Sequence, residues 1–259
     1  MSDSQLLEAM IGAAIEAGRA AQAQYHIGLE VRRKADASPV TAADHAAEGI
    51  ILDHLARCAP GTPVVAEEQV AAGRVPAAAE EFFLVDPLDG TKEFIAGSGE
   101  YTVNIALIRG AAPVLGVVYA PALGRLFAAN ALERTAFRAD PARKPIHVRP
   151  APQGGITAVA SRSHATPQTD AYLARYPVAE RVSVGSSLKF CLVAEGSADL
   201  YPRLGPTMEW DTAAGHAVLA GAGGTVVAPD GEPLRYGKPQ YRNPGFVASG
   251  SVPPKPIGP

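Results

Sequence analysis

The sequence predicts an α/β (α+β) protein in which two amphipathic helices lead, an antiparallel sheet follows and a second, mixed sheet completes the chain. Three observations support this class. Apolar residues recur at helical spacing over 5–25 and 41–58. Strand-like runs rich in Val, Ile, Tyr and Phe follow one another from 62 to 138, and strands alternate with helices after 145.

Each leading helix has one apolar stripe that predicts its buried face. The stripe of the first consists of Leu6, Leu7, Met10, Ile11, Ala14 and Ile15, and that of the second of Ala46, Ile50, Ile51 and Leu55. This spacing is typical of helices that cover one side of a sheet.

Val-, Ile-, Tyr- and Phe-rich runs bounded by Gly or Pro predict the strands of both halves. The first half has candidates at 62–66, 82–86, 102–109, 113–120, 124–129 and 135–138. In the second half, strands at 156–160, 181–184, 198–201, 224–228 and 245–249 alternate with helices at 167–175, 187–195 and 211–222. We expect subdomains 1–144 and 145–252 to form one interlocked unit, and the Pro-rich tail 253–259 to be a loose end.

Composition excludes several classes of function. The chain has 259 residues, 47% of them hydrophobic, which is enough for a sizeable core. A net charge of −3 gives no basic footprint, so we expect no nucleic-acid binding. Cys58 and Cys191 lie in apolar helical contexts without metal-ligand spacing, which indicates buried thiols. With no signal peptide and no membrane-length apolar run, we expect a cytoplasmic protein without an integral membrane segment.

The run 82–95 carries the strongest chemical signal. An apolar strand is predicted to end at Asp86, Pro87 stiffens its exit, and Asp89 follows before Gly90 and Thr91 open a helix. Two carboxylates would then converge at a strand end, together with the carbonyl of residue 88. Mg²⁺ prefers such oxygen ligands, and the amides of a helix start favour a phosphate. The alternative is an ordinary turn, since Asp, Pro and Gly dominate turns.

Two further segments bring more carboxylates. Glu67 and Glu68 end the short apolar run 64–66. Trp210 and Asp211 precede a helix of small residues at 213–220, for which Asp211 is the predicted N-cap.

These three blocks together resemble the inositol monophosphatase-like, Mg²⁺-dependent and lithium-sensitive phosphatases. That family carries Glu-Glu, then Asp-Pro-(Ile/Leu)-Asp-Gly-Thr, then Trp-Asp, and the resemblance here runs from about 34 to 246. The family fold is a five-layer αβαβα sandwich, which the predicted order of elements matches.

Blocks flanking the shared core resemble one branch of this family, the bacterial 3'(2'),5'-bisphosphate nucleotidases of the CysQ type. Lys92 and Glu93 stand where simple inositol monophosphatases usually have Thr-Asn, and the blocks 38–44, 161–164, 185–190 and 201–207 also fit the branch. The resemblance implies removal of the 3'-phosphate from 3'-phosphoadenosine 5'-phosphate, a by-product of sulfate assimilation, giving AMP and phosphate.

The resemblance also implies a metal site with two or three Mg²⁺ ions. Glu67, Asp86 and the Leu88 carbonyl would hold one ion, and Asp86, Asp89 and Asp211 a second. A cluster of four carboxylates repels itself unless cations intervene, which agrees with this assignment.

Proton transfer has two candidate groups. By resemblance, the Thr91 hydroxyl and Asp44 form a water-orienting pair, and Glu67 is the competing base. Asp44 is equally an acid favoured by the dipole of a first helical turn.

Substrate selection is expected in the second half. Lys189, after Gly185-Ser186-Ser187, and Arg203 would hold the 5'-phosphate; a solvated surface charge is the alternative for each. The residues predicted to bind substrate are Glu67, Leu88, Asp89, Gly90, Thr91, Ser161, His164, Ser187, Lys189, Arg203 and Asp211. Lys34 is either the family's metal-side lysine or an exposed one, and we expect His216 to be structural.

Two rival functions stay open on this sequence: an inositol-1-phosphate or other sugar monophosphatase, and a non-catalytic regulator that binds a phosphometabolite. The substrate would be a small nucleotide bisphosphate. Monomer and dimer, and peripheral attachment to the inner face of the cell membrane, are left open.

Overall fold

A computed structural model describes residues 1–27, 31–33, 39–77, 79–161 and 166–257. Its helices are α1 (Asp3–Ile27), α2 (Ala42–Cys58), α3 (Glu67–Ala71), α4 (Thr91–Ile95), α5 (Pro167–Leu173), α6 (Leu188–Ala194) and α7 (Ala213–Gly221). Its strands are β1 (Val31–Arg33), β2 (Pro39–Thr41), β3 (Val64–Ala66), β4 (Glu81–Asp89), β5 (Thr102–Arg109), β6 (Ala112–Ala120), β7 (Arg125–Asn130), β8 (Thr135–Asp140), β9 (Ala142–Pro145), β10 (Ile156–Ser161), β11 (Val178–Val184), β12 (Leu200–Arg203), β13 (Thr207–Met208), β14 (Thr225–Val227), β15 (Arg242–Asn243) and β16 (Phe246–Ser249).

The first half forms a seven-stranded sheet in the order β3-β4-β5-β6-β7-β8-β9. All neighbours pair antiparallel except β3 and β4, which run parallel. The mainly antiparallel sheet is thus confirmed, and β5 has the predicted limits. The second half forms a mixed five-stranded sheet in the order β11-β10-β12-β16-β14, also as expected.

The strand of the central motif does not end at Asp86, as the sequence predicted. β4 continues to Asp89 because it pairs with β5 on both sides of an irregularity: Asp86 lies opposite Asn104, and Asp89 opposite Thr102. Four residues of β4 therefore face three of β5, which is a β-bulge, and Pro87 is tolerated there because a bulged residue need not donate to the ladder.

Three apolar layers fill the space between sheets and helices. The first lies between α1–α2 and the seven-stranded sheet and includes Met10, Ile51 and Ile105. The second lies between both sheets around α6 and α7, and the third lies between the five-stranded sheet and α5. The predicted five-layer αβαβα sandwich is confirmed.

Small residues let α7 lie close to the first sheet. A Cβ at Gly116 on β6 would come within 2.6 Å of the Ala214 carbonyl and 2.5 Å of the Ala217 Cβ. The small-residue run read from the sequence is therefore a packing requirement, and it sets the depth at which Asp211 enters the site. Asp211 itself is not the N-cap. That position belongs to Thr212, one residue later.

The C-terminal tail is not a loose end, at least up to Ile257. It has no regular structure, as expected for a Pro-rich segment, but α5 and the turn after it supply hydrogen-bond partners. Tyr172 donates to the Lys255 carbonyl at 2.7 Å, and the Lys255 amide donates to the Tyr176 hydroxyl at 2.6 Å. Val252 is buried in the third apolar layer. The tail up to Ile257 is thus held against α5 and the turn that follows it.

Other expectations concern thiols, His216 and membrane spans. Cys58 and Cys191 are free; Cys191 is buried in α6 as expected, whereas Cys58, the last residue of α2, is only half-buried. His216 is buried on α7 with Nδ1 3.0 Å from the Tyr236 hydroxyl, and burial lowers its pKa to about 3, which supports the structural role. Among the described helices, none has both the length and the apolar character that crossing a membrane requires.

Candidate active site

A cleft of about 230 Å³ opens where the β4 bulge meets the start of α6 and the β12–α7 segment. Eight of the predicted site residues line it: Glu67, Asp89, Gly90, Thr91, Ser187, Lys189, Arg203 and Asp211. Lining residues that the sequence reasoning did not select are Pro39, Lys92, Glu93, Gly185, Ser186, Phe190, Tyr201, Thr207 and Thr212. Side chains from both halves of the chain therefore meet in one place.

Four carboxylates, which we call the acidic wall, stand close enough to repel one another: Glu67, Asp86, Asp89 and Asp211. Three of them line the cleft, whereas Asp86 is buried and is not among the lining residues. Burial raises the pKa of Asp86 well above its ordinary value, and the charges of the other three raise it further. Burial and the charges of Asp89 and Glu67 likewise raise the pKa of Asp211. Burial raises the pKa of Asp89 to about 6, although the Lys189 ammonium opposes the shift.

Backbone amides hold three members of the acidic wall. The Leu88 amide donates to Asp86 Oδ1 at 3.0 Å, the Ser187 amide to Asp89 Oδ2 at 2.6 Å, and the Met208 amide to Asp211 Oδ2 at 2.9 Å. These donors fix carboxylates that would otherwise move apart.

The chemistry of the acidic wall fits a hard divalent cation. Its oxygen donors come from three segments, α3, β4 and the turn before α7, and the positive charges of Lys189 near Asp89 and Arg203 near Asp211 oppose the upward pKa shifts of these two acids. In the ranges that the structure describes, no three His, Cys, Asp or Glu side chains form a ready-made cage for an ion. The wall is an open set, which suits Mg²⁺ because this ion keeps waters and substrate phosphate in its shell.

Asp44 and Thr91 are in contact, as the sequence predicted. The Thr91 hydroxyl lies 3.2 Å from Asp44 Oδ1 and 3.3 Å from the Leu88 carbonyl, so its one proton is directed at these two acceptors. Asp44 Oδ2 accepts from the amide and hydroxyl of Thr41, both at 2.7 Å, in the capping box that starts α2. Asp44 therefore contacts Thr91 with one oxygen and caps α2 with the other.

Lys189 and Arg203, which we call the cationic wall, line the same cleft as Glu67, Asp89 and Asp211. Lys189 is buried, and its ammonium donates to the carbonyls of Val184 and Ser186; burial lowers its pKa to about 8. Arg203 is partly exposed, and its buried Nε has no hydrogen-bond partner in the described part of the chain. Neither is the solvated surface charge that the alternative interpretation expected.

Sequence reasoning missed the polar residues behind Asp89. Asn104 donates to Asp89 Oδ2 at 3.3 Å, and the Ser187 hydroxyl donates to Asn104 Oδ1 at 2.7 Å. Thr102 lies 2.9 Å from that hydroxyl. The available signal was the pair of polar residues in the otherwise apolar run 102–108, because buried polar side chains in a strand need partners.

Several predicted site residues lie outside the described part. They are Lys34, His164 and the side chain of Ser161, which ends β10. Glu68, which neighbours Glu67, is buried, and its amide donates to Glu48 Oε2 at 2.8 Å.

A comparison with known protein families identifies the family of this chain. The model of the inositol monophosphatase family matches residues 2–252. The chain belongs to this family. The resemblance drawn from its three acidic blocks is thereby confirmed.

Curated relatives lie in the branch that the flanking blocks indicated. The chain is 50% identical over 223 residues to the 3'(2'),5'-bisphosphate nucleotidase CysQ of Escherichia coli strain K12, covering 85% of this chain and 89% of that protein. It is 32% identical to the CysQ of Haemophilus influenzae, covering 96% and 94%.

Solved structures show the same fold. CysQ of Bacteroides thetaiotaomicron superposes with a TM-score of 0.80 at 39% identity, covering 96% of this chain and 98% of that one. The inositol monophosphatase of Anabaena sp. PCC 7120 gives 0.77 at 27% identity, covering 96% and 92%.

Proposed function

We propose that this protein is a Mg²⁺-dependent phosphatase that hydrolyses the 3'-phosphate of 3'-phosphoadenosine 5'-phosphate to AMP and phosphate, which recycles a by-product of sulfate assimilation. The observation that carries the proposal is that one cleft has an acidic and a cationic wall. A substrate with one phosphate needs only the first. The likeness to CysQ nucleotidases over 85% of the chain supports the same substrate.

The acidic wall would hold two or three Mg²⁺ ions. Glu67, Asp86 and the Leu88 carbonyl would ligate one, and Asp86, Asp89 and Asp211 another. When bound, such ions neutralise charge on the scissile phosphate and make water a stronger acid.

Asp44 and Thr91 would orient the attacking water. Because the Thr91 proton is directed at Asp44 Oδ1 and the Leu88 carbonyl, the Thr91 oxygen is left to accept a hydrogen bond from a water in the cleft. Glu67, which lines the same cleft, is the alternative acceptor for the water's proton.

The cationic wall would bind the 5'-phosphate. Arg203 is the direct contact, because its Nε needs an acceptor and a guanidinium matches a phosphate in shape and charge. Lys189 would act indirectly: its ammonium would hold the Val184 and Ser186 carbonyls in place, and its positive charge would attract the 5'-phosphate. Gly90, with a left-handed φ of 93° that suits glycine, would bring the start of α4 toward the 3'-phosphate.

Phosphate release by the purified protein tests this function. With Mg²⁺, we expect kcat/KM for 3'-phosphoadenosine 5'-phosphate to exceed that for inositol 1-phosphate and for 3'-AMP by at least roughly 10²-fold, since a site built for a charged group strongly rejects substrates that lack it. Preference for inositol 1-phosphate would assign the protein to the sugar monophosphatases. Binding without single-turnover phosphate release would make it a regulator.

A further inference from the structure

A chain of hydrogen bonds behind Asp89 joins the two halves of the molecule. Thr102 and Asn104 belong to β5 in the first sheet, whereas Ser187 immediately precedes α6 in the second half. Thr102 Oγ1 lies 2.9 Å from Ser187 Oγ, Ser187 Oγ donates to Asn104 Oδ1 at 2.7 Å, and Asn104 Nδ2 donates to Asp89 Oδ2 at 3.3 Å.

The chemistry of the groups sets the direction of every donor in this chain. The Asn104 carbonyl can only accept, so the Ser187 hydroxyl uses its single proton there. Thr102 must then donate to the Ser187 oxygen, and the Asn104 amide group is left facing Asp89. Each of the three donors therefore points along the chain toward the Asp89 carboxylate, and hydrogen bonds aligned in this way strengthen one another.

The position of the chain in the protein core needs an explanation. Thr102 is 0% exposed, Asn104 1% and Ser187 2%. Buried polar side chains cost free energy relative to apolar ones of the same shape unless they are fully bonded. Both strand residues lie opposite the acids of the β4 bulge, Asn104 across from Asp86 and Thr102 across from Asp89. Their polarity is thus concentrated beside the acidic wall.

The two hydrogen bonds to Asp89 both end on one oxygen. Asn104 and the Ser187 amide share Oδ2, and no other bond to this carboxylate is found in the described ranges. We propose that Thr102, Ser187 and Asn104 are positioning residues that fix Oδ2 and keep Oδ1 available for a divalent cation in the cleft. The proposal rests on the proposed function only in taking Asp89 as a metal ligand.

Thr102 offers a matched pair of variants that separates this role from packing. Thr102→Val keeps the side-chain shape and removes the hydroxyl, whereas Thr102→Ser keeps the hydroxyl and leaves a methyl-sized void. We expect Thr102→Val to weaken Mg²⁺ binding about 10-fold or more, as loss of a group that orients a metal ligand typically does, while Thr102→Ser stays within about threefold of wild type. Calorimetric titration of the full-length protein with MgCl₂ measures both.

Equal Mg²⁺ affinity in wild type and Thr102→Val, or a loss in Thr102→Ser as large as that in Thr102→Val, would overturn the inference. Should Thr102→Val lack a cooperative melting transition, Ser187→Ala decides by the same titration: about 10-fold weaker binding supports the chain, and unchanged binding refutes it. If the wild type hydrolyses the bisphosphate and binds Mg²⁺, and the variants bind Mg²⁺ equally well, the inference about Thr102, Ser187 and Asn104 is refuted and the proposed function is not. A wild type with no Mg²⁺ binding would refute the proposed function instead.

Discussion

The acidic and cationic walls of the cleft differ in how their charges are held. Three of the four acids accept a backbone amide, and Asp89 has a side-chain donor as well. In the cationic wall, Lys189 is bound to two carbonyls, whereas the Arg203 Nε has no partner in the described part of the chain. The difference is that backbone amides already hold three of the acids, whereas Arg203 keeps a buried donor that a ligand could use. The acidic wall is therefore the more preorganised of the two, and we expect substrate to complete the cationic wall.

The largest effect is expected from breaking the acidic wall. Asp86→Asn or Asp211→Asn should lower kcat roughly 10³-fold, because each removes a metal ligand and with it the charge stabilisation of the transition state. The metal-free variants should melt at the same or a higher temperature than wild type, since burial and neighbouring acids disfavour these charges.

Steady-state rates with Mg²⁺ and melting curves in chelator measure both effects. Asp140→Asn, which removes an exposed charge on β8, is the control and should change neither. Full wild-type activity after exhaustive chelation would contradict the metal mechanism.

The next effect concerns the water-orienting pair beside that wall. Thr91→Ala and Asp44→Asn should each lower kcat about 10²-fold with little change in KM, and the double variant should be little worse than either single one, because the two groups act as a unit. Thr91→Ser keeps the hydroxyl and serves as the control. Losses that simply multiply would indicate separate roles and favour Glu67 as the base.

The smallest effect is expected at the cationic wall, and it should depend on the substrate. Arg203→Ala should cost about 2 kcal/mol or more in kcat/KM for 3'-phosphoadenosine 5'-phosphate, roughly 30-fold, and much less for 3'-AMP. The ratio of the two losses is the observable, because it cancels damage to the acidic wall. Arg19→Ala, an exposed change on α1, should leave the ratio unaltered. Equal losses on both substrates would show that Arg203 does not read the second phosphate.

Several features followed from local sequence alone. Apolar periodicity located α1 and α2, because side-chain spacing sets the buried face of a helix and both helices are long enough to show it. A run rich in Val and Ile located β5. The acids Glu67, Asp86, Asp89 and Asp211 could be singled out because they stand in the three sequence blocks that resemble the family. The Asp44–Thr91 contact was also predicted, although only through resemblance.

Tertiary structure decided the rest, since it depends on which residues become neighbours. Pro87 indicates a strand end locally, yet pairing with β5 carries β4 through a bulge to Asp89. The tail is fixed because Tyr172 and Tyr176, about 80 residues earlier, reach Lys255. Thr102 and Asn104 stand out in the sequence as polar residues in an apolar run, but their partner Ser187 comes from the second half of the chain. Hydrogen bonds between distant segments leave no periodicity in a sequence, so their partners are defined only once the chain is folded.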